Sequence, residues 1–201
     1  MKHVLGHRSR TMLGVGLLAS LAVPGGAGPL RDLLQKRQAD VLAIVSLARE
    51  LPPPEKRRLE EALAGPIDFT EMARPALGAE WERRSPAERA EYVSAYESLI
   101  RASLVRRVDI YRIDRVEYAA EQVAGDRGRV DTVVHSKDAT TEVRWDFVRT
   151  PEGWRIADYA IDGLSTVRNY RAQFARILAR SGWPGLLDRI RTRAAAIRKE
   201  G

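Results

Sequence analysis

Apolar residues in this chain recur first at helical spacing, then by alternation, then at helical spacing again. Between Leu30 and Leu51, the residues Leu34, Val41, Ile44, Val45 and Ala48 form one stripe, which Pro52-Pro-Pro54 closes. That pattern predicts an amphipathic helix. Glu55 to Ala64 reads as a short polar helix ended by Gly65-Pro66. Asp68 with Glu71 three residues on is a capping-box arrangement and starts a third helix. Pro75 should kink or stop that helix early, because proline lacks a backbone donor and clashes with the preceding turn. Ser85-Pro-Ala-Glu88 supplies a cap, a first-turn proline and an acid at the third position. Tyr92, Tyr96, Leu99, Ile100, Ser103 and Leu104 then share one long helical face.

After Val108 the period changes to two. Val116-Tyr118-Ala120, Val130-Thr132-Val134, Val143-Trp145-Phe147 and Ile156 to Ile161 alternate with polar residues and predict four strands. Gly125-Asp-Arg-Gly128 and Pro151-Glu-Gly153 read as hairpin turns, and Lys137-Asp-Ala-Thr140 as a third connection. Consecutive hairpins make an antiparallel meander with one buried face. Two helices follow, Ser165 to Ser181 and Pro184 to about Arg198, divided at Gly182. The expectation is a single α+β domain over residues 28–201, a curved four-stranded antiparallel sheet wrapped by about six helices.

Residues 1–27 read as a secretory signal peptide rather than as part of that domain. Lys2, Arg8 and Arg10, with His3 and His7, form a basic start. Met12 to Val23 is apolar, and Pro24-Gly-Gly-Ala27 offers small residues for cleavage before Gly28. Twelve residues rise about 18 Å as a helix, short of the ~30 Å hydrocarbon core. The expectation is therefore export from the cytoplasm. Without Lys2, Arg8 and Arg10 the formal charge of +7 falls by three to +4. Basic and acidic residues are interspersed, so nothing singles out nucleic acid as a partner. An anionic head group or an acidic partner remains compatible with this charge. The chain has no cysteine, so neither disulfides nor thiolate chemistry enters, and stability must come from the core.

Candidate catalytic groups are few. His135 is the only histidine after the leader, and it is out of phase with the apolar positions Val130, Thr132 and Val134. It should face solvent. A zinc site then lacks ligands, and neither a Gly-x-Ser-x-Gly elbow nor a phosphate-cradling glycine loop is present. Asp158 and Asp162 share a strand face and read either as a carboxylate pair or as cap and turn residues. Asn169 and Arg171 read either as reactive groups or as hydrogen-bonding pins of the strand–helix corner. No cofactor is implied.

The run Trp154-Arg-Ile-Ala-Asp158, Asp162-Gly-Leu-Ser165 and Asn169-Tyr-Arg-Ala-Gln-Phe174, with Asp68 to Gly78 and Trp81, resembles the MlaC (toluene-tolerance) family of periplasmic lipid-binding proteins. In that family a Trp-x-Val-x-Asp strand enters a Gly-Val-Ser turn and an Asn-Tyr-Arg-Ser-Gln-Phe helix. The likeness runs from about Ile67 to Arg191, and Pro75 departs from it, since the family carries a plain helix former there. The resemblance implies a non-enzymatic carrier whose sheet and helices enclose an apolar pocket for acyl chains. Met72, Leu77, Tyr96, Leu99, Ile100, Val134, Val143, Trp145, Phe147, Tyr159, Ile161, Val167, Tyr170 and Phe174 would be the lipid-binding residues. It further implies a phospholipid cargo, an inner-membrane ABC transporter complex and an outer-membrane lipoprotein/porin complex as partners, and transient docking at membranes. A hopanoid cargo is a variant of the same class. Two other classes stay open: an isomerase or hydrolase with a nuclear-transport-factor-like cavity, and an envelope assembly factor with a filled core.

Overall fold

The computed structural model describes residues 28–45, 52–106, 113–136 and 139–200. Residues 1–27, the end of the first predicted helix after Val45, and Lys137-Asp138 lie outside the described residues. Helices α1 (Pro29–Val45), α2 (Pro53–Ala64), α3 (Phe69–Leu77), a 3-10 helix (Gly78–Arg83) and α4 (Pro86–Arg106) come first. Strands β1 (Ile113–Tyr118), β2 (Gln122–Ala124), β3 (Arg127–Ser136), β4 (Ala139–Thr150), β5 (Gly153–Ile161) and β6 (Leu164–Ser165) follow, and α5 (Thr166–Glu200) closes the chain. The fold is α+β, as the patterning predicts.

The sheet is antiparallel in the order β1-β3-β4-β5-β6, with β2 also paired to β3. It has six strands rather than the four read from alternation, because β2 and β6 span only three and two residues and carry no period. β1 and β2 are one interrupted edge. β1 pairs with the end of β3 from Thr132 to Ser136, and β2 with its start from Arg127 to Arg129. Glu121 lies in the interruption, and its carboxylate accepts from the backbone N–H of Leu30 (3.1 Å) and Arg31 (3.2 Å). An anionic group on unsatisfied first-turn donors is the favourable pairing with the helix dipole. It ties α1 to the sheet edge.

Local signals set the other helix ends. The Glu71 N–H donates to Asp68 Oδ1 at 2.9 Å and starts α3. Pro75 lies inside this nine-residue helix, which stops at Leu77, and Gly78 takes a positive φ of 69° before the 3-10 turn. Ser85 and Glu88 cap α4 reciprocally, at 2.8 and 3.3 Å. Those hydrogen bonds hold the Glu88 carboxyl below the usual range, with the Arg84 contact adding to them. α5 is broken where the sequence predicts, at Gly182 (φ 62°, ψ −167°).

The strand-to-α5 corner is pinned by Asp158. Its carboxylate accepts from the Ser165 hydroxyl (2.5 Å) and the Val167 N–H (3.1 Å), while Ser165 Oγ accepts from the Arg168 N–H (3.1 Å). Asp162 is a turn residue with φ 47°, and its Oδ1 accepts from the Glu142 N–H at 3.0 Å. The two aspartates thus serve as cap and turn. Asn169 instead bonds Gln173 along the helix at 3.1 Å. The Arg171 guanidinium lies against Gly78, where an added Cβ would stand 3.2 Å from its Nε.

The core forms in two parts. α3, α4 and α5 pack with Phe147 and Ile156 of the sheet around an aromatic cluster. In it Tyr92 stacks on Tyr96 at 5.9 Å, and Phe174 meets both rings edge-on at 6.0 and 5.9 Å. A smaller cluster, Val41, Ile44, Leu59 and Ala62, joins α1 to α2. The Tyr92 hydroxyl donates to the Ala73 carbonyl at 3.1 Å, whereas the buried Tyr96 hydroxyl has no partner among the described residues. Removing an unsatisfied buried hydroxyl relieves a desolvation penalty, and removing a bonded one does not. Tyr96→Phe should therefore be neutral or stabilising by up to about 1 kcal/mol, and Tyr92→Phe destabilising by about 1 kcal/mol, in urea titrations. Burial pushes both phenols up. Below the ordinary phenol range both states keep these protons. Above pH ~10 the unfolded chain releases them first, so stability should fall as pH rises through that range, read by unfolding and phenolate absorbance together.

Candidate functional site

Alternation along the three long strands aims one set of side chains at the concave face. Val134 pairs with Thr141, Thr132 with Val143, Val143 with Ile161, and Trp145 with Tyr159. Tyr159 and Ile156 are three residues apart and would fall on opposite faces of a regular strand. The register shifts between Asp146 and Phe147, so Phe147 pairs with Ile156. That irregularity keeps Ile156, Tyr159 and Ile161 on one wall.

This wall, α1, α2 and the Pro66-Ile67 connection enclose a cavity of about 330 Å³. The sheet contributes Ile113, Val116, Tyr118, Thr132, Val134, Ser136, Thr141, Val143, Trp145, Ile156, Tyr159 and Ile161. Leu34, Arg37, Gln38 and Val41 of α1, Ala62 and Leu63 of α2, and Leu104 of α4 line the other side. The cavity therefore lies between the main core and the α1–α2 cluster, whose Val41 and Ala62 face it. The Trp145 and Thr132 polar groups of the wall are satisfied internally. The Trp145 indole Nε1–H donates to Thr132 Oγ1 at 3.0 Å, and the Thr132 hydroxyl donates to the Val143 carbonyl at 3.0 Å. The Tyr118 hydroxyl donates to Gln38 Oε1. Burial pushes the Tyr118 phenol up, and the Arg31 guanidinium 5.6 Å above its ring pulls the other way. Arg37, 3.5 Å from Asp40, brings a cation to the lining, and Asp162 brings a carboxylate.

Five of the residues named from sequence meet on this wall: Val134, Val143, Trp145, Tyr159 and Ile161. The structure places the others in the main core. Met72 and Leu77 of α3, Tyr96, Leu99 and Ile100 of α4, Phe147 of β4, and Val167 and Phe174 of α5 are buried there, and Tyr170 packs against them half-buried. Tyr170 and Phe174 lie against Tyr96 at 5.5 and 5.9 Å. The α1–α2 side of the cavity was not read from the sequence as a wall. Its one signal is the stripe Leu34, Val41 and Ile44, of which only Val41 and Ile44 join the cluster with α2.

The chemistry available here is that of a largely apolar container. Among the described residues no three histidines, cysteines or carboxylates cluster to hold a metal. Asp162, the one carboxylate in the described lining, already accepts a backbone N–H. His135 lies on the opposite face of the sheet, with Nε2 3.2 Å from Glu117 and Nδ1 3.4 Å from the Thr140 hydroxyl. Among the described residues no helix is long and apolar enough to cross a membrane.

The MlaC protein family model matches residues 35–192. A structure of a phospholipid-binding protein from Ralstonia solanacearum, in complex with a phospholipid, superposes with a TM-score of 0.71 at 21% identity. The superposition covers 83% of this chain and 97% of that one, a likeness of fold. No curated protein sequence matches the chain.

The Thr132 hydroxyl is the hinge of the wall's polar chain. Thr132→Val should strand the Trp145 N–H and cost about 1–3 kcal/mol in urea unfolding. Thr132→Ser, which keeps the hydroxyl, should lose less.

Proposed function

The chain belongs to the MlaC family, and on that footing we propose that it is a lipid carrier that sheathes phospholipid acyl chains in the cavity between the sheet and α1–α2. One observation carries the reading: a largely apolar cavity of about 330 Å³ in whose wall the Trp145 indole N–H and the Thr132 hydroxyl are already bonded. That volume is at the lower end of ligand pockets, ~300–1,000 Å³. Each methylene kept from water there is worth about 0.8 kcal/mol. An acyl chain meets this lining without needing a directional partner. Arg37 at the lining supplies a cation for a phosphate. Transfer by such a carrier makes and breaks no covalent bond, so no catalytic residue is required. The phospholipid in the Ralstonia protein of the same fold supports the cargo class.

In the same reading, residues 1–27 are a cleaved signal peptide, residues 28–201 are the carrier domain, and the carrier works in the periplasm. Cargo is exchanged between an outer-membrane lipoprotein/porin complex and an inner-membrane ABC transporter complex that spends the ATP. Sequencing the periplasmic form should give a start near Gly28.

Native mass spectrometry and solvent extraction of the purified protein test the cargo. A phospholipid should co-purify with the wild type. Val134→Trp should lose it while its thermal unfolding stays cooperative, because Val134 is half-buried on the cavity side and the indole fills free space. A lipid-free wild type, or a Val134→Trp variant loaded like the wild type, would contradict the carrier reading.

A further inference from the structure

Arginines are distributed unevenly between paired and unpaired settings. In the helices before the sheet, Arg84 meets Glu80 and Glu88, and Arg101 meets Glu97 (2.7 Å) and Glu61 (3.1 Å). In the sheet, Arg129 meets Asp146 at 2.8 Å. Along α5 the sequence from Thr166 to Lys199 holds nine basic residues and one acid, Asp188. Arg168, Arg171, Arg176, Arg180, Arg189 and Arg193 are exposed, and none has a carboxylate partner among the described residues. Among the described residues, only Arg191 on this helix is in an ion pair, with Glu91 at 2.6 Å.

This arrangement works against the helix that carries it. α5 has no acid in its first turn, and Arg168 and Arg171 stand near its N-terminal end, where the dipole disfavours cations. Arg176 and Arg180, and again Arg189 and Arg193, are like charges at i,i+4, each a small penalty. At about 100° per residue, Arg168, Arg176 and Arg180 fall within roughly 120° of arc. That arc is opposite the buried row of Val167 and Phe174. Just before the helix stands Leu164, 76% exposed, whose strand partner Ile161 lines the cavity.

We infer that the outer face of the first half of α5, with Leu164 at its foot, docks on the anionic phosphate surface of a lipid bilayer. Planar guanidinium groups bind phosphate in paired hydrogen bonds. A row of cations beside one exposed aliphatic side chain is the combination that settles at a head-group boundary. An acidic protein surface would also engage the arginines, and the polyglutamate arm of the test below separates it from a bilayer. The inference rests on the carrier reading for its purpose, since a bilayer is where the cargo is found. It places the cavity wall at Ile161 next to the contact.

Co-sedimentation with vesicles tests this, using phosphatidylcholine alone and phosphatidylcholine mixed with phosphatidylglycerol. The protein should bind the mixed vesicles only, and salt should release it. At roughly fivefold per arginine, Arg176→Glu with Arg180→Glu should weaken binding at least tenfold. Arg57→Glu with Arg58→Glu, an equal charge change on exposed positions of α2, should weaken it far less. Thermal unfolding and co-purified lipid should be unchanged in the α5 variant, which separates loss of docking from failure of the carrier reading. Equal losses in the two double variants would overturn the inference. So would a wild type that ignores anionic vesicles, including one that binds polyglutamate instead, which would assign the face to an acidic protein.

Discussion

The concave wall depends on one irregularity in strand register. Between Asp146 and Phe147 the β4–β5 pairing slips, so that Ile156 and Tyr159, three residues apart, face the same side. Without the slip one of them would turn outward and the wall would lose a large side chain. Asp158 lies inside the same irregularity, and its carboxylate caps α5 through Ser165 and Val167. One local feature thus builds the cavity face and fixes the helix that follows the sheet. A strand that must serve a pocket and a helix cap together gains this second role at no cost to the first.

The two-part core explains why the interior is not solid. The aromatic cluster of Tyr92, Tyr96, Tyr170 and Phe174 gathers α3, α4 and α5 on one part of the sheet. α1 and α2 meet through a separate small cluster and reach the sheet through the Glu121 cap and through Leu30, whose Cδ1 would lie 2.5 Å from a Cβ at Gly128. Glycine at position 128 lets α1 approach so closely. Between the two clusters the wall needs polar atoms that are already satisfied, and the Trp145–Thr132–Val143 chain supplies them. An unsatisfied indole N–H there would demand water or a polar ligand group. With it bonded, the sheet wall around Trp145 offers a ligand hydrocarbon.

Much of the architecture was legible in the sequence. Caps at Asp68 and Ser85, the early stop after Pro75, the break at Gly182 and four alternating strands are all local chemistry, and local chemistry is what a sequence states directly. β2 and β6 are too short to show a period, and their existence depends on β3 and β5 being beside them. The site was legible in part for a different reason. A stripe at helical or strand spacing says that a face is covered, not whether protein or ligand covers it. Tyr96, Tyr170 and Phe174 cover one another, while Val134, Val143 and Trp145 face the cavity with the same kind of pattern. The role of α1 as a wall comes from long-range contacts, Glu121 with Leu30 and Arg31, ninety residues apart and more, which no local pattern encodes.

The central claim is that acyl chains occupy the cavity against Trp145. Fluorescence quenching by a phospholipid brominated along one acyl chain tests it, in a variant whose remaining tryptophans, Trp81, Trp154 and Trp183, are replaced by phenylalanine. Trp145 emission should be strongly quenched on loading. Unquenched Trp145 emission in a protein shown by mass to carry the brominated lipid would contradict the account.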